Sequence, residues 1–182
     1  MSSERYCFSE IGDHSIICGD AKLFGSISAA FLIKEGQTTI TDWTSSSEWE
    51  AAVADGSVIV IKEINANYPQ PSETTVPSGI GGQADVLASF THQLLWRDRA
   101  VNATNDTFYA DLNQFTSGGI GWFEPKNNTL KVVENEDVTF LAKLEVLEDS
   151  KSIQSYNITS SWDTIDMPKT YDAPTNYVEI FK

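Results

Sequence analysis

Apolar and polar residues alternate with a period of two through much of the second half of the chain. In Val138–Leu147 the residues Val138, Phe140, Ala142, Leu144 and Val146 share one side. After Glu148-Asp149-Ser150-Lys151-Ser152, the residues Tyr156, Ile158, Ser160 and Trp162 alternate with Ser155, Asn157, Thr159 and Ser161. Successive side chains of a strand point to opposite faces, so each segment predicts a strand with one buried and one wetted face. Together they predict a hairpin of ~30 Å, beyond the usual ~17–20 Å of a strand. Val86–Asp98 repeats the pattern, with Val86, Ala88, Phe90, His92, Leu94 and Trp96 on one face. Gly118–Phe123 and Thr129–Val133 predict a second hairpin around Glu124-Pro125-Lys126-Asn127-Asn128, followed by an acidic turn at Glu134-Asn135-Glu136-Asp137.

The first half is more strongly punctuated. Ser15–Cys18 predicts a short strand, and Lys22–Lys34 a longer one ending at the turn Glu35-Gly36. Ala29-Ala30 weakens the strand reading there, so a short helix through Ser28–Ile33 stands as an alternative. Thr39-Ile40-Thr41 predicts a strand. Ser45 and Glu48 have the spacing of a capping box, in which each side chain satisfies a backbone donor of the other. Trp49, Ala52 and Val53 then form a helical stripe, ended by Asp55-Gly56 before a strand at Val58–Ile61. A second short helix is predicted with Thr104 or Asn105 as cap and Phe108, Tyr109 and Leu112 as its stripe.

Tyr68–Gly82 holds Pro69, Pro71, Pro77, Gly79, Gly81 and Gly82, which predicts an extended loop. It would act as a linker or as an arm laid across a neighbouring subunit. Met167-Pro168 through Pro174 reads as a tail, and Tyr177–Phe181 as an edge strand for this chain or another. The expected fold is mainly β, an antiparallel β-sandwich or twisted sheet with two short helices. It forms a single domain over 1–182, with lobes 1–67 and 83–182 on either side of loop 68–82.

Composition supports one core: 182 residues, 41% hydrophobic and 11% aromatic. The formal charge of −14 disfavours nucleic acid and anionic membranes and favours basic or neutral protein partners. Met1-Ser2-Ser3-Glu4-Arg5 lacks the basic and apolar regions of a signal peptide, and no apolar run reaches ~20 residues. Folding in a cytoplasm with Cys7 and Cys18 reduced is therefore expected. The Asn-x-Ser/Thr sequences at Asn102, Asn105, Asn127 and Asn157 are then simply turn and strand residues.

Candidate chemistry is sparse. No G-x-S-x-G elbow occurs; His14 reads as a turn residue and His92 as a hydrogen-bonded core residue in its strand's apolar register. Neither C-x-x-C nor H-E-x-x-H is present. Glu134–Asp137 could offer oxygens to calcium but lacks EF-hand spacing. Gly79-Ile80-Gly81-Gly82 is not followed by the Gly-Lys-Ser/Thr of a phosphate loop. A hydrolase would need a concave acidic site carrying a displaced carboxylate. Trp43, Trp96, Trp122 and Trp162 could stack on sugars if exposed, though alternation predicts core packing for most. No catalytic, cofactor-binding or metal-ligating residue is expected, and the chain is not expected to be an enzyme.

Several segments together resemble a known group. Ile40-Thr41-Asp42-Trp43-Thr44-Ser45-Ser46-Ser47-Glu48-Trp49 leads through Ala51-Ala52 and Gly56 into Val58–Ile61. Leu94-Leu95-Trp96-Arg97-Asp98, Asn105-Asp106-Thr107-Phe108-Tyr109 and Tyr156–Trp162 follow. In style, Thr38–Trp162 resembles the small β-rich virion proteins of crAss-like tailed bacteriophages. The resemblance implies a head decoration protein, a head-to-tail connector ring protein or a tail-associated protein, without catalytic residues. It would be folded and assembled in the host cytoplasm, located in the virion, and partnered by other virion proteins and copies of itself. No contact with nucleic acid or membrane is expected. Candidate subunit contacts are Tyr68, Pro69, Pro71 and Pro77 on the loop and Tyr177, Val178, Ile180 and Phe181 at the C-terminus. The alternative is a carbohydrate- or host-surface-binding β-module of a phage fibre.

Overall fold

The computed structural model describes residues 26–34, 40–77, 85–146 and 153–182. The elements are β1 (Ala29–Ile33), α1 (Ser46–Ala54), β2 (Val58–Ile61), β3 (Asn65–Asn67), β4 (Ser72–Val76) and β5 (Val86–Asp98). They continue as α2 (Ala103–Leu112), β6 (Thr116–Glu124), β7 (Thr129–Glu145), β8 (Ser155–Thr164), β9 (Lys169–Asp172) and α3 (Tyr177–Phe181). The strands form one antiparallel sheet in the order β2-β1-β6-β7-β8-β5-β3, with β4 added to β5 and β9 to β7. The expected mainly β, antiparallel fold is the one observed, with three helices among the described residues rather than two.

The sheet twists far enough to meet itself. β2 and β3 are consecutive pieces of one extended segment, separated by Glu63 with φ 56°. β2 pairs with β1, whereas β3 pairs with β5 at the other end of the order. An Ile27–Ala66 bridge and a 3.0 Å bond from the Ile64 N–H to the Ser28 carbonyl tie the segment's second half to the residues before β1. The wall is thus a ring of β1, β6, β7, β8, β5 and the β2–β3 segment. Residues before and after loop 68–82 belong to the same sheet.

Period-two alternation fills the ring. Leu32, Leu94, Trp96, Ile120, Trp122 and Val138 point inward with Phe140, Tyr156, Ile158 and Trp162, all buried. The predicted inner faces of β8, of β7 as far as Ala142 and of β5 from His92 to Trp96 are therefore correct; Phe90 is only half-buried, and Ala88, Leu144 and Val146 are exposed. One end is plugged by α2 through Tyr109 and Leu112. The Asn113 side chain fixes that plug, donating to the Ala142 carbonyl (3.0 Å) and accepting from the Ala142 N–H (2.6 Å).

A second apolar cluster lies outside the ring. Ala29, Phe31 and Ile33 of β1, Phe123 of β6, and Leu130 and Val132 of β7 are covered by Trp43, by Trp49 and Ala52 of α1, and by Ile180 and Phe181 of α3. β1 is consequently buried on both faces, which explains its unbroken apolar run and decides for strand over helix. On β6 this face carries glycines: a Cβ on Gly121 would collide with the Phe31 ring and the Lys131 carbonyl.

Several expectations are corrected. Ser45 Oγ accepts from the Glu48 N–H, but Glu48 reaches back past Ser45 to the N–H groups of Thr41 (2.6 Å) and Asp42 (3.0 Å), so only half the capping box forms. Val53 is 43% exposed because only Trp49 and Ala52 face the barrel. Ile40 and Thr41 lie outside any strand. The cap of α2 is Asn102, whose side chain accepts from Asn105 N–H at 2.9 Å. Glu134–Asp137 does not reverse the chain; β7 runs on through it, bent by Asn135 (φ 58°) where the register with β6 slips.

Within the expected extended loop, Ser72–Val76 is a strand paired with β5, and within the expected tail β9 pairs with β7. Tyr177–Phe181 is a helix, not an edge strand. Its apolar residues Tyr177, Val178, Ile180 and Phe181 fit positions i, i+1, i+3 and i+4 as well as they fit alternation, and only the helical turn brings both Ile180 and Phe181 onto the core. The expectations for Ser15–Cys18, Cys7, Cys18, His14, Thr39, the turn Glu35-Gly36, the glycines Gly79–Gly82 and the loop at 148–152 fall outside the described residues.

Candidate interaction surfaces

Several polar groups inside the ring are paired with one another, whereas the buried Trp162 Nε1 has no hydrogen-bond partner among the described residues. His92 is fully buried. Its Nε2 lies 3.2 Å from the Thr164 carbonyl, which can only accept, so Nε2 carries the proton and Nδ1 accepts from the Tyr68 hydroxyl at 2.6 Å. The imidazole stacks on Trp162 at 5.4 Å and 10°. Burial pushes the Tyr68 hydroxyl above its ordinary pKa. Tyr68 therefore closes the ring's end, against Trp122 and His92, instead of standing out toward a neighbour.

At the α2 end, Tyr109 donates to Asp98 Oδ2 at 2.7 Å, while Asp98 Oδ1 accepts from the Ala100 N–H at 2.7 Å. Tyr156 donates to Asp106, and the two tyrosine rings lie 4.4 Å apart. Burial and the facing carboxylates raise both phenols, Tyr156 to about 12. Each hydroxyl is held neutral and spent on a carboxylate, which anchors α2 over the ring and offers no nucleophile.

The displaced carboxylates are Asp42, Glu48 and Asp55, all lowered, by hydrogen bonds from Thr44, from Asp42 and Thr41, and from Ser57 respectively. They brace the ends of α1, and a lowered carboxylate is the opposite of a general acid poised near neutrality. A cleft of about 740 Å³ between α2 and the β1–β2 edge is walled by Leu32, Ile59, Phe108, Leu112 and Phe140, with Asp111 as its carboxylate. Among the described residues no group of three or more His, Cys, Asp or Glu could hold a metal ion, and no helix is long and apolar enough to cross a membrane. All five tryptophans are buried, with Trp43, Trp96, Trp122 and Trp162 at 2–3% exposure, so none offers a stacking platform.

Among the described residues two surfaces remain open. The first is the ribbon of β4 and the start of β5. All of Ser72–Val76 is exposed, with Pro77 exposed after it and Pro69 and Pro71 half-buried before it. Among the described residues β4 pairs only with β5, so its outer edge is free. At the C-terminus Ile180 and Phe181 are consumed by the chain's own core, Tyr177 packs on Phe123 at 5.5 Å, and Val178 is exposed.

The second surface is the outer face of the ring over β7, β8, β5 and β3, left bare by α1, α3 and β9. Register aligns its residues in rows across the strands. One row is Lys143, Asn157, Arg97 and Asn65; the next is Leu141, Thr159, Leu95 and Asn67; a third is Thr139, Ser161 and Gln93. Thr91 and Asp163 continue it beside Asp137 in a shallow hollow. The polar side of β8 is visible in the sequence as alternation. Its companions Leu95, Leu141, Lys143 and Arg97 are not, because only strand pairing sets them in line. Comparison with protein-family models, with curated proteins and with solved structures yields no match.

Proposed function

We propose that this chain is a structural component of a tailed-phage virion, a head decoration, connector-ring or tail-associated protein that acts through protein–protein contacts without turnover. The observation that carries the assembly role is the β4–β5 ribbon. A strand whose five residues are all exposed and whose outer edge is unpaired among the described residues is a liability in a lone monomer and a template for pairing in an assembly. The phage assignment draws on the sequence resemblance across Thr38–Trp162. Support also comes from the polar interior, where each hydroxyl and imidazole described above is committed to a neighbour. The carbohydrate-binding alternative loses its main support with the burial of the tryptophans.

Mass spectrometry of purified particles tests the assignment: the protein is expected in multiple copies per particle, and its absence would refute a virion role. Deleting residues 69–81 is expected to leave the ring folded and abolish incorporation; unchanged assembly would remove the ribbon from the contact.

A further inference from the structure

The bare outer face is self-complementary, and we infer that it pairs with the same face of a second copy about a two-fold axis. Here the partner is named for the assembly role proposed above, on which the inference rests. Charge is distributed along the strands, not across them. At one end lie Lys143, Arg97 and Arg99, with Glu145 the acid that meets Arg97, at 3.4 Å. At the other end Glu136, Asp137 and Asp163 surround the shallow hollow beside Thr91. Asn157 and Asp163 mark these ends on β8, six residues or roughly 20 Å apart. Between them Leu95 and Leu141, 37% and 51% exposed, flank Thr159 in one row.

A two-fold axis lying between the leucine row and the row of Thr139, Ser161 and Gln93 sets the basic end of each copy on the acidic end of the other, and each leucine row against the other copy's Thr139, Ser161 and Gln93. An isologous contact requires this arrangement of one patch. The rest of the acidic chain repels a second copy, with a formal charge of −14, so a face holding most of its exposed guanidinium charge is where like chains can approach. Of the three arginines, Arg97 and Arg99 both lie here.

Size sets the strength. Four strands ~4.8 Å apart and ~20 Å long cover on the order of 400 Å² per copy, about half of a standard interface. A dimer that dissociates on dilution and with salt is expected, with higher affinity supplied in a particle by multivalency.

Sedimentation velocity of the full chain over a concentration series, at about 0.05 M and about 0.5 M salt, should show a monomer–dimer equilibrium weakened about tenfold or more by salt. Two charge-reversed variants sharpen it: Lys143→Glu with Arg99→Glu, and Asp137→Lys with Asp163→Lys. Each alone is expected to be monomeric, and an equal mixture is expected to dimerise, a rescue that also shows both to be folded. Leu141→Ser, a milder change in the leucine row, should weaken the dimer without altering the circular dichroism spectrum. A wild-type chain that stays monomeric at low salt would overturn the two-fold contact. So would a dimer indifferent to the reversals, or a ring without dimers. None of these outcomes touches the presence of the protein in particles, which mass spectrometry reads independently.

Discussion

The two outer faces of the ring are built on the same wall and have opposite fates. Over β1, β6 and the start of β7, the face carries Phe31, Ile33, Phe123, Leu130 and Val132, and the chain covers it with α1, α3 and Trp43. Over the rest of β7, β8, β5 and β3 it carries threonine, serine, asparagine, two leucines and separated charges, and the described residues leave it open. The covered face is a tight aromatic assembly, with Phe31 5.0 Å from Trp49 and Phe123 5.0 Å from Phe181. A strand face rich in aromatics cannot stay wet, whereas one rich in hydroxyls and amides can wait for a partner. The difference separates residues that fold the monomer from residues free to serve something else.

The largest expected effect is on the covered side. Trp49 is fully buried between Phe31 and Phe181, so Trp49→Ala should cost about 3–5 kcal/mol in denaturant unfolding, a large fraction of an ordinary domain's stability. A cost near zero would mean that α1 is not the lid described. Inside the ring, Tyr109→Phe should cost about 1.5–3 kcal/mol, because it removes a bond to a buried carboxylate.

The tyrosines also predict a pH dependence. Their folded pKa values are raised above the ordinary 10.0, so the stabilisation is fully present below pH 10 and is lost as pH climbs from there through the folded value, about 12 for Tyr156. Unfolding followed from pH 9 to 12 should show this decline, and Tyr109→Phe with Tyr156→Phe should flatten it; an unchanged slope in the double variant would reassign the effect. Gly121→Ala follows, at about 1–3 kcal/mol, since a Cβ there pushes on Phe31 and the Lys131 carbonyl. The smallest effect belongs to the bare face: Thr159→Ala should stay within about 0.5 kcal/mol. A larger loss in the monomer would erase the contrast between the faces.

Local chemistry made much of this legible. Alternation marks the inward residues of β5 and β8, and the stripe of Phe108, Tyr109 and Leu112 marks the inner side of α2. His92 announces itself by standing in an apolar register, although its partners Tyr68 and Thr164 come from distant segments. Caps are less secure: Asn102 and Thr104 are both good caps, and which one acts depends on where the backbone enters the helix. Tyr177–Phe181 satisfies both periods, and the pocket left by Phe31, Trp49 and Phe123 selects the helix.

By itself the sequence determined a β-rich chain with two short helices, an interior of alternating apolar residues, and a polar side to β8, because periodicity and capping are properties of near neighbours. Ring closure, the double burial of β1, the strand within the proline-rich segment and the alignment of charges on the bare face were decided only in three dimensions. Each depends on which strand lies beside which, and in what register, and that is set by long-range pairing that no local pattern encodes.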